Sequence, residues 1–261
     1  MEPEDFKDED ESGVTFEVIE GEIKGGKKAL IKGVYLLPNL FTTGALFGGF
    51  YGIIASVNGQ FANAAIAILV AGILDGLDGR VARMTNTQSA FGAEYDSLSD
   101  SIAFGVAPAL VVFNWSLSEL GKVGWVAAFI YTACACLRLA RFNIQPESTD
   151  KAYFTGLSSP AAAGLIIGLV WFGADNGVSG EAVTYLSLLI TVMAGILMVS
   201  NLSFPSFKQI DFKGRVPFIT ILIAVLLLAV FFIDPPVVLF GMALSYSLFG
   251  LLMPLWRRVR S

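Results

Sequence analysis

The chain has 261 residues, 55% hydrophobic and 15% charged, with a formal net charge of −5. A soluble domain usually carries about 25% charged residues, so the composition argues against one and for a polytopic helical membrane protein. There is no histidine, and there are two cysteines. This excludes a Ser-His-Asp triad, a histidine general base and histidine- or thiolate-bound zinc. Any metal must be held by oxygen, which suits Mg²⁺ or Mn²⁺.

Residues 1–33 read as a cytoplasmic tail. Glu2, Glu4, Asp5, Asp8, Glu9, Asp10 and Glu11 open it as an acidic block of the kind that stays disordered. Lys24, Lys27, Lys28 and Lys32 follow, a juxtamembrane anchor for anionic lipid. A short interfacial helix over Lys28–Leu37 is compatible with the pattern. The first thirty residues lack the apolar core of a secretory signal.

Eight apolar segments come next, expected at Leu40–Val57, Ala62–Leu77, Leu98–Asn114, Val123–Leu139, Pro160–Phe172, Tyr185–Ser200, Pro217–Ile233 and Val237–Leu255. The fold class expected is therefore all-α, a membrane helical bundle of about eight transmembrane helices. The second segment is expected to run on to Arg83 and the third to begin near Gly92, with a compact polar turn over Thr85–Ser89. Cys134 and Cys136, two apart in the fourth segment, read as small packing residues. With both termini cytoplasmic, the inside loops hold nearly every basic residue and the outside loops only Lys122, the asymmetry expected of cytoplasmic loops.

One stretch does not fit a purely structural bundle. Asp75–Asp100 reads DGLDGRVARMTNTQSAFGAEYDSLSD. Asp75 and Asp78 are spaced i,i+3, and Asp96 and Asp100 i,i+4, so each pair shares a helix face. The short connection makes the two helices antiparallel neighbours, and the pairs can converge. Four close carboxylates near a bilayer repel one another unless a cation intervenes. Gly76 and Gly79 cost helix stability, about 1 kcal/mol each against alanine. They mark either close helix contact or a phosphate lying against the backbone.

The pattern Asp75, Gly76, Asp78, Gly79, Ala82, Arg83, Gly92, Asp96, Asp100 resembles the signature of the CDP-alcohol phosphatidyltransferases at every spacing. Leu37–Gly44 (LPNLFTTG), Asn86–Ala109, Leu137–Asn143 (LRLARFN) and Tyr153–Ala163 (YFTGLSSPAAA) are similar to the bacterial branch that takes CDP-diacylglycerol and serine. The likeness covers about residues 34–172. It implies a six-helix core, assigned here to residues 34–202, with two further C-terminal transmembrane helices in 203–261. It also implies an inner-membrane, homodimeric enzyme with a cytoplasmic active site, and no nucleic-acid partner. In that family the four aspartates hold two divalent cations, here Mg²⁺ or Mn²⁺, at the donor diphosphate. The last of them, Asp100, also serves as general base.

The resemblance further implies donor contacts from Gly76, Gly79, Ala82, Arg83 and Gly92, with Asn39 and Thr42 near the nucleotide. Arg83 suits a phosphate oxygen, whereas Arg80, off the signature, reads as an ordinary cytoplasmic-side arginine. For the acceptor the candidates are Arg138 and Arg141, i,i+3 at one helix end, with Asn143, Ser158 and Ser159. Ser158 stands where that branch usually has proline, a departure that bears on the acceptor pocket. Glycerol 3-phosphate and inositol phosphate are the competing acceptors, and each would favour more basic residues than these two arginines. A cation-binding transporter is the reading from another class; it would favour internal repeats, and the chain shows none.

Overall fold

The computed structural model describes residues 36–85, 87–144, 153–205 and 218–260. The acidic and lysine-rich tail, and nearly all of the interfacial helix expected over Lys28–Leu37, lie outside them. The described residues fall within one compact unit, Gly33–Ser261.

Helix α1 (Leu36–Val57) and helix α2 (Phe61–Thr85) form the first antiparallel pair. Glycines set their separation. A Cβ on Gly48 would come 2.8 Å from the Ala67 carbonyl oxygen, and one on Gly49 would come 2.7 Å from the Ala103 Cα. Both are nearer than real Cβ contacts allow; Gly48 brings α1 onto α2, and Gly49 brings it onto the stretch holding Ala103. Without a hydrophobic force between helices in lipid, small residues at the interface provide the close packing.

Helix α3 (Ala90–Asp100), a π turn (Ser101–Val106) and helix α4 (Ala107–Trp115) form one continuous rod. Proline explains the π turn. Pro108 has no N–H to offer the Phe104 carbonyl, and its ring crowds that carbonyl. The rod widens there, with Ala107 N–H bonding five residues back to Ile102 O. The fully buried Tyr131 hydroxyl donates to Phe104 O at 3.0 Å, so this carbonyl receives a bond from another helix.

Helix α5 (Lys122–Ile144) carries Tyr131. Strand β1 (Tyr153–Thr155), helix α6 (Ser159–Asp175), helix α7 (Thr184–Val199) and strand β2 (Ser203–Pro205) follow, then helices α8 (Phe218–Ile233) and α9 (Pro235–Arg260). Helix α6 forms the centre of the core: Ile166, Ile167 and Val170 are almost fully buried. Helix α9 packs along it, its backbone at Phe240 so close to Gly168 that a Cβ there would lie 2.9 Å from Phe240 Cα.

Six helical stretches among the described residues are long and apolar enough to cross a bilayer: Leu37–Val57, Phe61–Thr85, Ala90–Trp115, Lys122–Ile144, Gly180–Val199 and Pro235–Met253. At the other two expected segments the helices are shorter, α6 with 17 residues and α8 with 16. At 1.5 Å per residue α6 falls short of a core of about 30 Å, while α8 begins where the described residues resume. Large apolar side chains on the outside, Phe47 at 66% exposure and Phe129 at 62% among them, are the surface that lipid covers. The chain is a helical membrane protein.

The third segment begins at Ala90, near the expected Gly92, because Ser89 caps it and accepts the Gly92 N–H at 2.9 Å. One detail corrects the sequence expectation: the fold is not purely helical, since β1 and β2 pair antiparallel with Phe154 opposite Phe204. Each strand has three residues and its partner is some fifty residues away, too short and too remote for periodicity to reveal. Gly156 follows β1 at φ +81°, where the Met198 carbonyl leaves no space for a Cβ.

Candidate active site

The aspartate stretch folds into one cluster at the α2 end and the α3 start. One carboxylate oxygen from each of Asp75, Asp78 and Asp96 lies within 4.8 Å of the others. Asp100, one helical turn beyond Asp96, lies close enough to Asp75 to act on it, so it adjoins this group of three. Asp78 is buried at 5% exposure, and Asp75, Asp96 and Asp100 are half-buried.

Helix α1 closes the cluster from the side. Thr42 Oγ1 donates to Asp78 Oδ2 at 2.8 Å, and the buried Ser99 hydroxyl donates to Thr42 O at 3.1 Å. One threonine thus ties α1 to an acid on α2 and to the turn of α3 that precedes Asp100. Thr43 and Tyr95 share a hydrogen bond at 2.9 Å and add a second tie between α1 and α3.

A cation fits this cluster. The donors are carboxylate oxygens, the ligand set of Mg²⁺ and Mn²⁺. Asp96 Oδ1 is buried without a hydrogen-bond partner. A buried acceptor of that kind calls for something to satisfy it, and an ion among three neighbouring carboxylates would do so.

The signature glycines separate into two kinds. A Cβ on Gly76 would meet nothing within 4 Å, and one on Gly79 would meet only the Arg83 guanidinium, at 3.5 Å. Neither glycine is there to let another helix of this chain approach; they leave bare backbone beside the acids. Gly92 differs. Its Cβ would sit 3.1 Å from Ser89 Oγ and 3.5 Å from Asn39 Oδ1, so it accommodates the helix cap and brings Asn39 to the start of α3. Ala82 is half-buried, and its carbonyl accepts the Thr87 N–H at 3.0 Å. Arg83 is exposed and close enough to Asp78 to act on it electrostatically. Arg80 is exposed as well.

The acceptor candidates part company. Arg138 is half-buried, donates from Nη1 to Ser159 Oγ at 3.1 Å, and keeps Nε buried and unpartnered. It lies within electrostatic reach of Asp100. Arg141, one turn on, is engaged elsewhere: Nη2 donates to Asn201 Oδ1 at 2.7 Å and Nη1 to Val199 O at 3.4 Å. It holds the C-terminal end of α7. Asn143 exchanges hydrogen bonds with Ser97, next to Asp96. Ser158 is the N-cap residue of α6, without a side-chain capping bond, and Ser159 is fully buried beneath Arg138.

Sequence reasoning did not single out Ser97, Ser99 or Tyr246. Tyr246 of α9 comes within electrostatic reach of Arg138. Serines one residue from each aspartate were a local sign for Ser97 and Ser99. Tyr246, more than a hundred residues from Arg138, had none.

Residues 35–200 match the CDP-alcohol phosphatidyltransferase family. The chain is 38% identical over 218 residues to the CDP-diacylglycerol–serine O-phosphatidyltransferase of Helicobacter pylori, covering 84% of this chain and 92% of that protein. It is 42% identical over 188 residues to the enzyme of the same name from Mycobacterium tuberculosis, covering 68% and 64%. It is 32% identical over 171 residues to the archaetidylserine synthase of Methanothermobacter thermautotrophicus, covering 65% and 69%. With its acid cluster at the spacing of that family's signature, the chain belongs to the CDP-alcohol phosphatidyltransferases.

Proposed function

We propose that the protein transfers the phosphatidyl group of CDP-diacylglycerol to the hydroxyl of L-serine, giving phosphatidylserine and CMP. The observation that carries this reading is the convergence of Asp75, Asp78, Asp96 and Asp100 near a half-buried, part-satisfied arginine, Arg138. The relatives support serine. Their names differ in the lipid they make, phosphatidyl in one case and archaetidyl in another, and serine is common to them.

In this reading the donor diphosphate lies against the open backbone at Gly76 and Gly79, near Arg83. Asn39 and Thr42 flank the nucleotide side. One or two Mg²⁺ or Mn²⁺ ions, held by the four aspartates, would neutralise the diphosphate and the charge developing on the transferred group. Thr42 holds Asp78 in place for that task. Arg138, seated on Ser159, receives the serine carboxylate through a planar guanidinium, with Asn143, Ser158 and Arg141 at the margin of the pocket. Asp100 takes the proton of the serine hydroxyl. The serine oxygen bonds to the phosphorus that carries the diacylglycerol, the bond from that phosphorus to the CMP oxygen breaks, and CMP leaves with the electron pair. A positioned base contributes about 10²–10⁴-fold to such a step.

The same reading gives eight membrane spans with both termini cytoplasmic, a six-helix core over residues 34–202 and an added helical pair over 203–261. The protein works as a homodimer in the inner membrane, with the acid cluster at the cytoplasmic face. The basic residues expected in the inside loops support that orientation.

The test is CMP release from CDP-diacylglycerol by purified protein, with L-serine, glycerol 3-phosphate or inositol phosphate in turn. Release with serine alone is expected. Release with glycerol 3-phosphate and not with serine would remove the assignment.

A further inference from the structure

We infer that Thr42 of α1 and Ser99 of α3 form a buried brace that fixes the spacing of the acid cluster and so selects a small divalent cation over a larger one, Mg²⁺ over Ca²⁺. This rests on the reading that the aspartates hold cations.

The brace is a chain of two hydrogen bonds across three helices. Thr42 Oγ1 donates to Asp78 Oδ2 at 2.8 Å, and Ser99 Oγ donates to Thr42 O at 3.1 Å. It runs from Asp78 on α2, through α1, to the turn of α3 that lies between Asp96 and Asp100. Thr42, Ser99 and Asp78 are all buried, so little water competes for these bonds. A helical threonine commonly returns its hydroxyl to the carbonyl four residues back. Thr43 does so, reaching Asn39 O at 2.7 Å. Thr42 lies 3.2 Å from Pro38 O, and its shorter bond crosses to the acid.

Helix α1 is a firm support for such a brace. A Cβ on Gly44, two residues past Thr42, would come 3.0 Å from Leu74 Cδ1 of α2. Gly48 and Gly49 bring the same helix against the Ala67 carbonyl and against Ala103 of the π turn. The Thr43–Tyr95 bond adds a second tie to α3. Thr42 therefore has little freedom to follow Asp78 if the acids spread apart.

A fixed cage discriminates between ions by size. Mg²⁺ requires oxygens at about 2.1 Å in near-octahedral order, whereas Ca²⁺ takes more oxygens at about 2.4 Å and often binds a carboxylate through both of them. Asp78, tied through Oδ2, has its second oxygen left to present as a single ligand. Asp96 Oδ1 is buried and without a partner, an acceptor within the same cluster that the brace does not engage.

The experiment titrates the full chain, in detergent–lipid micelles without donor, with Mn²⁺ followed by its electron paramagnetic resonance signal. Mg²⁺ and Ca²⁺ then displace the bound Mn²⁺. Thr42→Val should weaken Mn²⁺ binding about tenfold, the effect of losing an outer partner of a metal ligand. Ser99→Ala should weaken it about fivefold, the effect of one hydrogen bond, and Thr42→Ser, which keeps the hydroxyl, should restore it. The preference for Mg²⁺ over Ca²⁺ should fall severalfold in Thr42→Val and in Ser99→Ala. A merely structural role would lower the melting temperature and leave that preference in place. Should Thr42→Val fail to fold, Ser99→Ala carries the test. Variants with the wild-type preference overturn the brace as the selector, and the cation reading stands. If the wild-type protein takes up no Mn²⁺, or Asp96→Ala takes it up equally well, the cation reading fails and the brace fails with it.

Discussion

The two sides of the site are built in opposite ways. Around α2 and α3, carboxylates crowd one another, a buried acid oxygen lacks a partner, and the backbone at Gly76 is open. Around α5, α6 and α7, cationic side chains are tied to fixed oxygens: Arg138 to Ser159, Arg141 to Asn201 and Val199. The first side crowds acids that could hold cations, and in the proposed function the donor phosphate joins them there. The second seats Arg138 on Ser159 with its Nε still unpartnered, and in the proposed function the acceptor carboxylate meets it there. A transferase that must bind a highly charged donor and a small zwitterionic acceptor gains from this division. Charge is supplied where charge arrives, and geometry where a small molecule must be recognised.

The largest effects should come from the acid side. Changing Asp75, Asp78, Asp96 or Asp100 singly to alanine should lower turnover by about 10³-fold or more with membrane insertion intact; CMP release and membrane fractionation measure the two. Chelation with EDTA should stop the reaction and Mn²⁺ or Mg²⁺ should restore it, whereas activity that survives thorough chelation removes the cation from the account.

On the cationic side the effects should be selective. Arg138→Lys should cut kcat/KM for serine by about 10²-fold, as expected when a buried bidentate contact is lost, and leave the donor KM alone. Arg141→Lys should act mainly on stability, lowering the melting temperature, since its bonds go to the α7 end.

The smallest effects sharpen the contrast between open and packed glycines. Gly76→Ala should raise the KM for CDP-diacylglycerol severalfold without thermal destabilisation, because a Cβ there meets no neighbour. Gly49→Ala should do the reverse, destabilising by about 1–3 kcal/mol through overpacking against Ala103. Paired substrate titrations and melting curves separate the two.

The acid side was legible in the sequence because its residues are local. Helical spacing alone puts Asp75 with Asp78 and Asp96 with Asp100, and a short turn brings the pairs together. The cationic side was less so. Arg138 and Arg141 look equivalent at i,i+3, and only the distant α7 end, some 60 residues on, draws one of them away. The β1–β2 pairing and the contact of α9 with the acceptor side also join remote stretches and leave no periodic trace. The π turn is an intermediate case. Pro108 inside an apolar run signals a missing N–H, but the donor that compensates, Tyr131, lies on another helix.

The most direct test of the central claim follows radiolabelled L-serine into lipid while CMP is counted, with purified protein, CDP-diacylglycerol and Mn²⁺, and again after EDTA. The account predicts one labelled phosphatidylserine per CMP, and neither product after chelation. CMP released without labelled lipid, or labelled lipid formed in the absence of divalent cations, would contradict it.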